Sequence, residues 1–159
     1  FDVTPMKLQK LLYYCQGYSL ALTGKPMFDE EIEAWRYGPV VPSVYQEYKA
    51  YGGCAIPLSI VGEEHDVQCV DALIAQLVVR EKGCMSGIML ANMTHCEAPW
   101  RDAYSGNYSN CVIPQEALKT FFIDALQQTE LCEEDEDNLW LSVGEPLNDE
   151  DWEELLAKV

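Results

Sequence analysis

The sequence predicts a mainly α-helical domain with at most a small β element, closed by an acidic C-terminal extension. Apolar residues recur at helical spacing in successive segments between Thr4 and Leu126, the period expected of helices packing one face on a core. A single stretch, Glu31 to Tyr37, alternates instead. After Gln128 the composition turns acidic: 12 of the 27 Asp and Glu residues lie between Glu130 and Val159, with Lys158 as the one basic residue there.

Thr4-Pro5 reads as an N-cap followed by proline at the first helical position, where its missing N–H costs nothing. Leu8, Leu11, Leu12, Cys15, Ser19 and Leu22 share one face, with Lys7, Gln9 and Lys10 on the others. Gly24 and Pro26 end that helix. In Glu31–Tyr37, Ile32 and Ala34 fall on one parity and Trp35 and Tyr37 on the other, which suits a short strand that Gly38-Pro39 breaks. Pro42-Ser43 starts a second helix, with Val44, Tyr45, Tyr48 and Tyr51 as its apolar positions and Gly52-Gly53 as its stop. Ala55 to Val61 is apolar but interrupted by Pro57, so it is at most an edge strand.

The helical period resumes at Asp66 with Val67, Val70, Leu73, Ile74, Leu77 and Val78, and Gly83 ends it. Ser86 is the next N-cap, with Met85 and Leu90 placed as a hydrophobic staple, for a helix to about His95. Ala98-Pro99-Trp100 opens a short turn or helix to Tyr104, and Ser105 to Asn110 is polar loop. Pro114 begins another helix, striped by Ala117, Leu118, Phe121, Phe122, Ala125 and Leu126. Glu133 to Asp137 is an unbroken acidic run, and Asn148 offers a cap for a last amphipathic helix containing Trp152, Leu155, Leu156 and Val159. The expected organisation is a domain over 1–128 and an extension over 129–159.

A chain of 159 residues, 48% apolar, supplies the core of one domain. Ten basic against 27 acidic residues give a net charge of −17, which repels phosphate backbones and anionic lipid, so neither nucleic acid nor membrane is an expected partner. The same charge is compatible with a basic protein partner, with a phage anti-defence protein whose carboxylates mimic DNA toward a basic nuclease or restriction subunit, or with solubility alone. Phe1 opens directly onto the helix-start signal, with no basic-then-apolar leader, and a cytoplasmic location is the expectation. The seven cysteines, Cys15, Cys54, Cys69, Cys84, Cys96, Cys111 and Cys132, contain no C-x-x-C pair. Reduced, mostly buried thiols are expected, without a metal site. No G-x-G-x-x-G, P-loop or H-E-x-x-H occurs, so no cofactor and no enzyme activity are expected. His95 beside Glu97 offers a general base with an orienting carboxylate, but no nucleophile with an oxyanion site accompanies it. A structural His95, packed by Trp100 near its helix end, is the favoured reading.

Three segments resemble the Panacea domain, the family of SocA-like antitoxins and GepA-like phage-associated proteins. They are Thr4-Pro5-Met6-Lys7-Leu8-Gln9-Lys10-Leu11-Leu12-Tyr13-Tyr14, then Glu33-Ala34-Trp35-Arg36-Tyr37-Gly38-Pro39-Val40-Val41-Pro42-Ser43-Val44-Tyr45, then Thr94-His95-Cys96-Glu97-Ala98-Pro99-Trp100-Arg101-Asp102-Ala103. Ile113 to Leu118 follows at the family's distance, so the resemblance spans about residues 4 to 126. Two features depart from the pattern: family members usually carry a helix ahead of the Thr-Pro start, and the acidic extension is outside it. The resemblance implies an antitoxin that neutralises a cognate toxin protein by direct contact, or, in one branch, an adaptor that delivers the toxin to the ClpXP protease. Neither role requires a catalytic residue or cofactor. The candidate partner-binding residues are Lys7, Gln9 and Lys10 on the first helix and Trp35, Tyr37, Gly38, Pro39 and Tyr45 around the Gly-Pro turn. Large rings beside a rigid turn suit an interface, and bracing the turn against the core is the alternative. For the basic pair and Gln9, the alternatives are solvated surface and pairing with local carboxylates. Thr94, His95, Pro99 and Trp100 are expected to be structural.

Overall fold

Residues 2–57, 69–106 and 111–131 are described in a computed structural model, in which helix α1 (Pro5–Thr23) is the element the others surround. The β1 (Glu33–Trp35) and β2 (Gly38–Val40) hairpin follows, then α2 (Pro42–Tyr48), which tightens into a single 3-10 turn over Lys49–Tyr51. Helices α3 (Cys69–Lys82), α4 (Gly87–Cys96) and α5 (Ala98–Ala103), strand β3 (Cys111–Val112) and helix α6 (Gln115–Leu131) complete the order. Helix α1 packs against α3, α4, α6 and β2. The mainly helical class is therefore present, together with a small three-stranded antiparallel sheet in the order β2-β1-β3.

The local signals act as their chemistry dictates. The Thr4 hydroxyl accepts the Lys7 N–H, Pro5 occupies the first turn, and Gly24 closes α1 at φ 73° while its N–H donates to the Leu20 carbonyl. The Ser86 hydroxyl accepts the Met89 N–H at the start of α4, and Met85 packs on the core. Pro99 sits in the first turn of α5.

Four expectations are corrected. Helix α1 does not present one apolar face to a core. Lys7, Gln9, Lys10 and Gln16 are as buried as Leu11, while Leu22 at its end is 54% exposed, because neighbours cover α1 on several sides. Gly38-Pro39 does not break the strand but begins β2, in register with Trp35 and Ala34; β2 is an edge strand, where proline is tolerated. Strand β3 has no signature in two residues, and it exists because it pairs with β1 and because the Ile113 N–H donates to the Ile32 carbonyl (2.8 Å). Finally, four of the six described cysteines, Cys54, Cys69, Cys84 and Cys96, are exposed, with Cys54 and Cys84 in turns and Cys96 at the end of α4, and of the six only Cys15 is fully inside.

Ala55 to Pro57 forms no strand, and the Ile56 N–H instead donates to the Val3 carbonyl (2.9 Å). The rest of that stretch, the start expected at Asp66, the acidic run and the helix proposed after Asn148 lie outside the described residues.

The core forms where α1 and α6 cross. Tyr13, Tyr14 and Tyr18 of α1 surround the Phe122 ring edge-on, with centroids 5.7, 6.0 and 5.2 Å away. Leu118 is fully buried beside them. The crossing is close because Gly17 has no side chain: a Cβ there would stand 2.2 Å from the Phe122 ring. We expect Gly17→Ala to destabilise the fold by roughly 1–3 kcal/mol, since overpacking a tight contact outweighs the gain in helix propensity. Urea unfolding would measure the loss, and adding Phe122→Leu should recover part of it.

Candidate functional site

The three segments singled out in the sequence lie far apart along the chain and meet at one junction, where α1, the β1–β2 hairpin and α4–α5 interlock. The polar residues of α1 do the joining. Lys10 Nζ donates to the Pro39 carbonyl (3.1 Å), and Gln9 Oε1 accepts the Val41 N–H (2.7 Å). One turn earlier, Lys7 Nζ donates to the Gly83 carbonyl between α3 and α4 (2.7 Å). Gly38 adopts φ 96°, a conformation that disfavours side chains, and it lies directly on Lys10 and Thr94. A Cβ at Gly38 would come within 2.7 Å of Lys10 Cε and Thr94 Oγ1.

The segment after Thr94 grips the other side of the hairpin. The Thr94 hydroxyl is fully buried and donates to the Ala91 carbonyl one turn back in α4 (2.8 Å). The His95 ring stacks on Trp100 (4.2 Å, 30°), which stacks in turn on Tyr104 (4.7 Å, 15°). Trp100 Nε1 donates to the Trp35 carbonyl (2.8 Å). A hydrogen bond also links His95 to the backbone of Arg36, so two side chains hold consecutive residues of the hairpin turn. Glu97 reaches back to α1, accepting the Tyr14 hydroxyl (2.8 Å), and Lys82 lies 5.2 Å over the Tyr14 ring.

Electrostatics at this junction are set by burial. Removal from water lowers Lys10 from 10.5 to about 7. Burial, followed by the Lys10 charge, lowers the His95 imidazole, while its bond to the Arg36 backbone acts the other way. Burial raises Glu97 against the opposing pull of the Tyr13 and Tyr14 hydroxyls and of Lys82. The Tyr13 and Tyr14 phenols are held neutral, first by burial and then by the Glu97 carboxylate. Gln9 Nε2 and His95 Nε2 are buried without a hydrogen-bond partner among the described residues.

These placements separate the sequence-derived candidates. Lys7, Gln9 and Lys10 are buried rather than solvated: they bind backbone groups of neighbouring segments, and little of them is left on the surface. Gly38 and Pro39 are buried with them. Trp35, Tyr37 and Tyr45 are half-buried, with the Tyr37 hydroxyl inside. The Trp35 ring meets Tyr45 edge-on (5.0 Å, 70°), its indole N–H donates to Glu33 (2.7 Å), and Arg36 lies 5.6 Å over the Tyr37 ring. Arg36 is the exposed residue of this aromatic group. Gln16 was not a candidate, yet it does the same work as Gln9: its Oε1 accepts the Met27 and Phe28 N–H groups (2.8 and 3.3 Å), and its Nε2 donates to the Phe28 carbonyl (2.9 Å). A polar residue inside a helix gives no sequence signal for such a role.

Among the described residues, no cluster of three or more His, Cys, Asp or Glu side chains is arranged to hold a metal ion. No described helix is long and apolar enough to cross a membrane. A sequence profile of the family described as antitoxin SocA-like, Panacea domain, matches residues 8–101. Antitoxin SocA of Caulobacter vibrioides (strain NA1000 / CB15N) is 42% identical over 50 residues, a segment covering 31% of this chain and 27% of that protein. The similarity thus spans well under two thirds of the relative's length. No solved structure matches.

The buried lysine gives this junction a pH signature. Between about 7 and 10.5 the unfolded chain retains a Lys10 proton that the folded chain has released, so stability rises with pH across that window. Unfolding free energies measured from pH 7 to 8.5 should climb with a slope approaching about 1.4 kcal/mol per pH unit. Lys10→Met should flatten that slope, and an unchanged slope would mean that the ammonium is not desolvated in the folded protein.

Proposed function

The chain belongs to the SocA-like antitoxin family that carries the Panacea domain, and from that premise we propose that it neutralises a cognate protein toxin by binding it directly. The observation that carries this reading is the convergence of the family-like segments on one junction that carries the half-buried Trp35, Tyr37 and Tyr45 patch. In this reading the buried members, Lys7, Gln9, Lys10, Gly38 and Pro39, act from inside: they fix the hairpin backbone so that the aromatic side chains are ordered before the toxin arrives. Pre-ordering lowers the entropic cost of association, and large rings supply area with few rotors. Arg36, exposed at the turn, adds a donor suited to a carboxylate or aromatic ring on the partner. Neutralisation of this kind needs no cofactor and no catalytic group, and the protein would act in the cytoplasm beside its toxin.

Co-expression with the product of each neighbouring gene, scoring host growth and co-purification, tests the proposal. Rescue of growth with a stable complex is the expected result. Rescue accompanied by disappearance of the toxin would replace simple blocking with delivery to a protease such as ClpXP. Failure to rescue any toxic neighbour would reject the antitoxin reading. Within a rescuing pair, Arg36→Glu combined with Tyr45→Ala should weaken binding by about tenfold or more, about 1.4 kcal/mol, while leaving the unfolding transition in place.

A further inference from the structure

A second surface lies around β3, away from the Gly-Pro turn. Between α5, β3 and the first turns of α6 runs an open groove of about 720 Å³. Pro99, Val112, Ala117 and Phe121 give it an apolar floor, and Val112 is 42% exposed there. Its rim carries Asp102, Glu116 and Asp124, all exposed; Asp102 pairs with Arg101 (3.5 Å), and among the described residues no Lys or Arg lines the groove itself. Across the Val112–Pro114 ridge a smaller depression of about 270 Å³ is bordered by Glu30 and Glu31, with no lining cation among the described residues. The groove thus joins apolar surface to the cation-poor acidic field of a chain with net charge −17.

Three occupants would cover an apolar groove: the chain's own C-terminal segment, a second copy, or another protein. Charge decides among them. The segment from Glu130 to Val159 holds 12 acidic residues and one lysine, so it meets the rim with like charge. A second copy brings a net charge of −17 to a surface of the same sign. A partner segment with an apolar side chain flanked by Lys or Arg matches both features, the floor by burial and the rim by attraction.

We infer that this groove is a docking site for a basic, apolar-anchored segment of the toxin, separate from the aromatic hairpin patch. The inference rests on the neutralisation reading above and specifies the chemistry of the partner. The carboxylate rim accelerates encounter with the basic segment, in a way that salt screens. The groove then retains the segment through its apolar residue. The hairpin patch and the groove share α5, which lines the groove through Pro99 and Asp102 and holds the hairpin through Trp100. One toxin molecule can therefore engage both surfaces on a single rigid support.

The test uses the full-length chain with a toxin that the wild type rescues. A photo-crosslinking amino acid replaces Thr120, which is exposed in the groove, and the charge-reversed variant Asp102→Lys/Glu116→Lys/Asp124→Lys is made in parallel. Crosslinking to the toxin is expected, with at least a tenfold loss of affinity in the charge-reversed variant and a matching loss of salt dependence. Crosslinks to residues 132–159 of the same chain, or to a second copy, would overturn the inference. So would wild-type affinity in the charge-reversed variant, with the antitoxin reading left standing in each of these cases. A chain that rescues no toxin fails the earlier reading itself and takes this inference with it.

Discussion

The structure depends on polar side chains buried in its central helix. A helix surrounded by neighbours would ordinarily be apolar on every side, yet α1 sends Lys7, Gln9, Lys10, Gln16 and Ser19 inward. Each one reaches a backbone group of another segment: the carbonyls of Gly83, Pro39, Phe28 and Lys25, and the N–H groups of Val41, Met27 and Phe28. Buried backbone groups need partners, and the loops around α1 have too little regular structure to supply them. The helix supplies them instead, so the connectors close on it as well as its core.

That arrangement explains why the hairpin is defined although its strands are only three residues long. A hairpin of that size is unstable alone. Here its turn rests on Lys10 and Thr94, its β2 side is tied to α1 through Pro39 and Val41, and its β1 side is tied to α4–α5 through His95 and Trp100. The close approach at Gly38 and the buried amino group of Lys10 are two sides of one contact: the glycine leaves room for the lysine stem, and the adjacent Pro39 carbonyl accepts its hydrogen bond. The His95 and Glu97 pair fits the same plan. One holds the hairpin and the other holds α1.

Function, in this reading, belongs to the outside of that junction. The acidic composition gives the surface a strong field of one sign, and against it two places differ from their surroundings: the aromatic hairpin with Arg36, and the apolar groove between α5 and α6. Both are built on α5, a helix of six residues that owes its position to Trp100. Surface recognition and interior anchoring thus meet in the Pro99-Trp100 step, where the proline lines the groove and the indole holds the hairpin.

The sequence by itself determined whatever is local. Thr4-Pro5, Gly24, Ser86 and Pro99 mark helix ends because caps and proline act within one turn of chain, and the helical periods locate α1, α3, α4 and α6. The family resemblance was legible for a related reason: its three segments are contiguous strings. Tertiary structure alone decided which residues of those strings face inward. Lys7, Gln9 and Lys10 read as surface because charge and amide favour water, and only the convergence of the hairpin, the α3–α4 turn and α1 provides the carbonyls and N–H group that make their burial tolerable. The same holds for β3 and for Gln16. Their partners, Glu33 and Ala34 for the strand and Met27 and Phe28 for the amide, come from other segments, and no pattern within two residues or one side chain announces a contact made that far away.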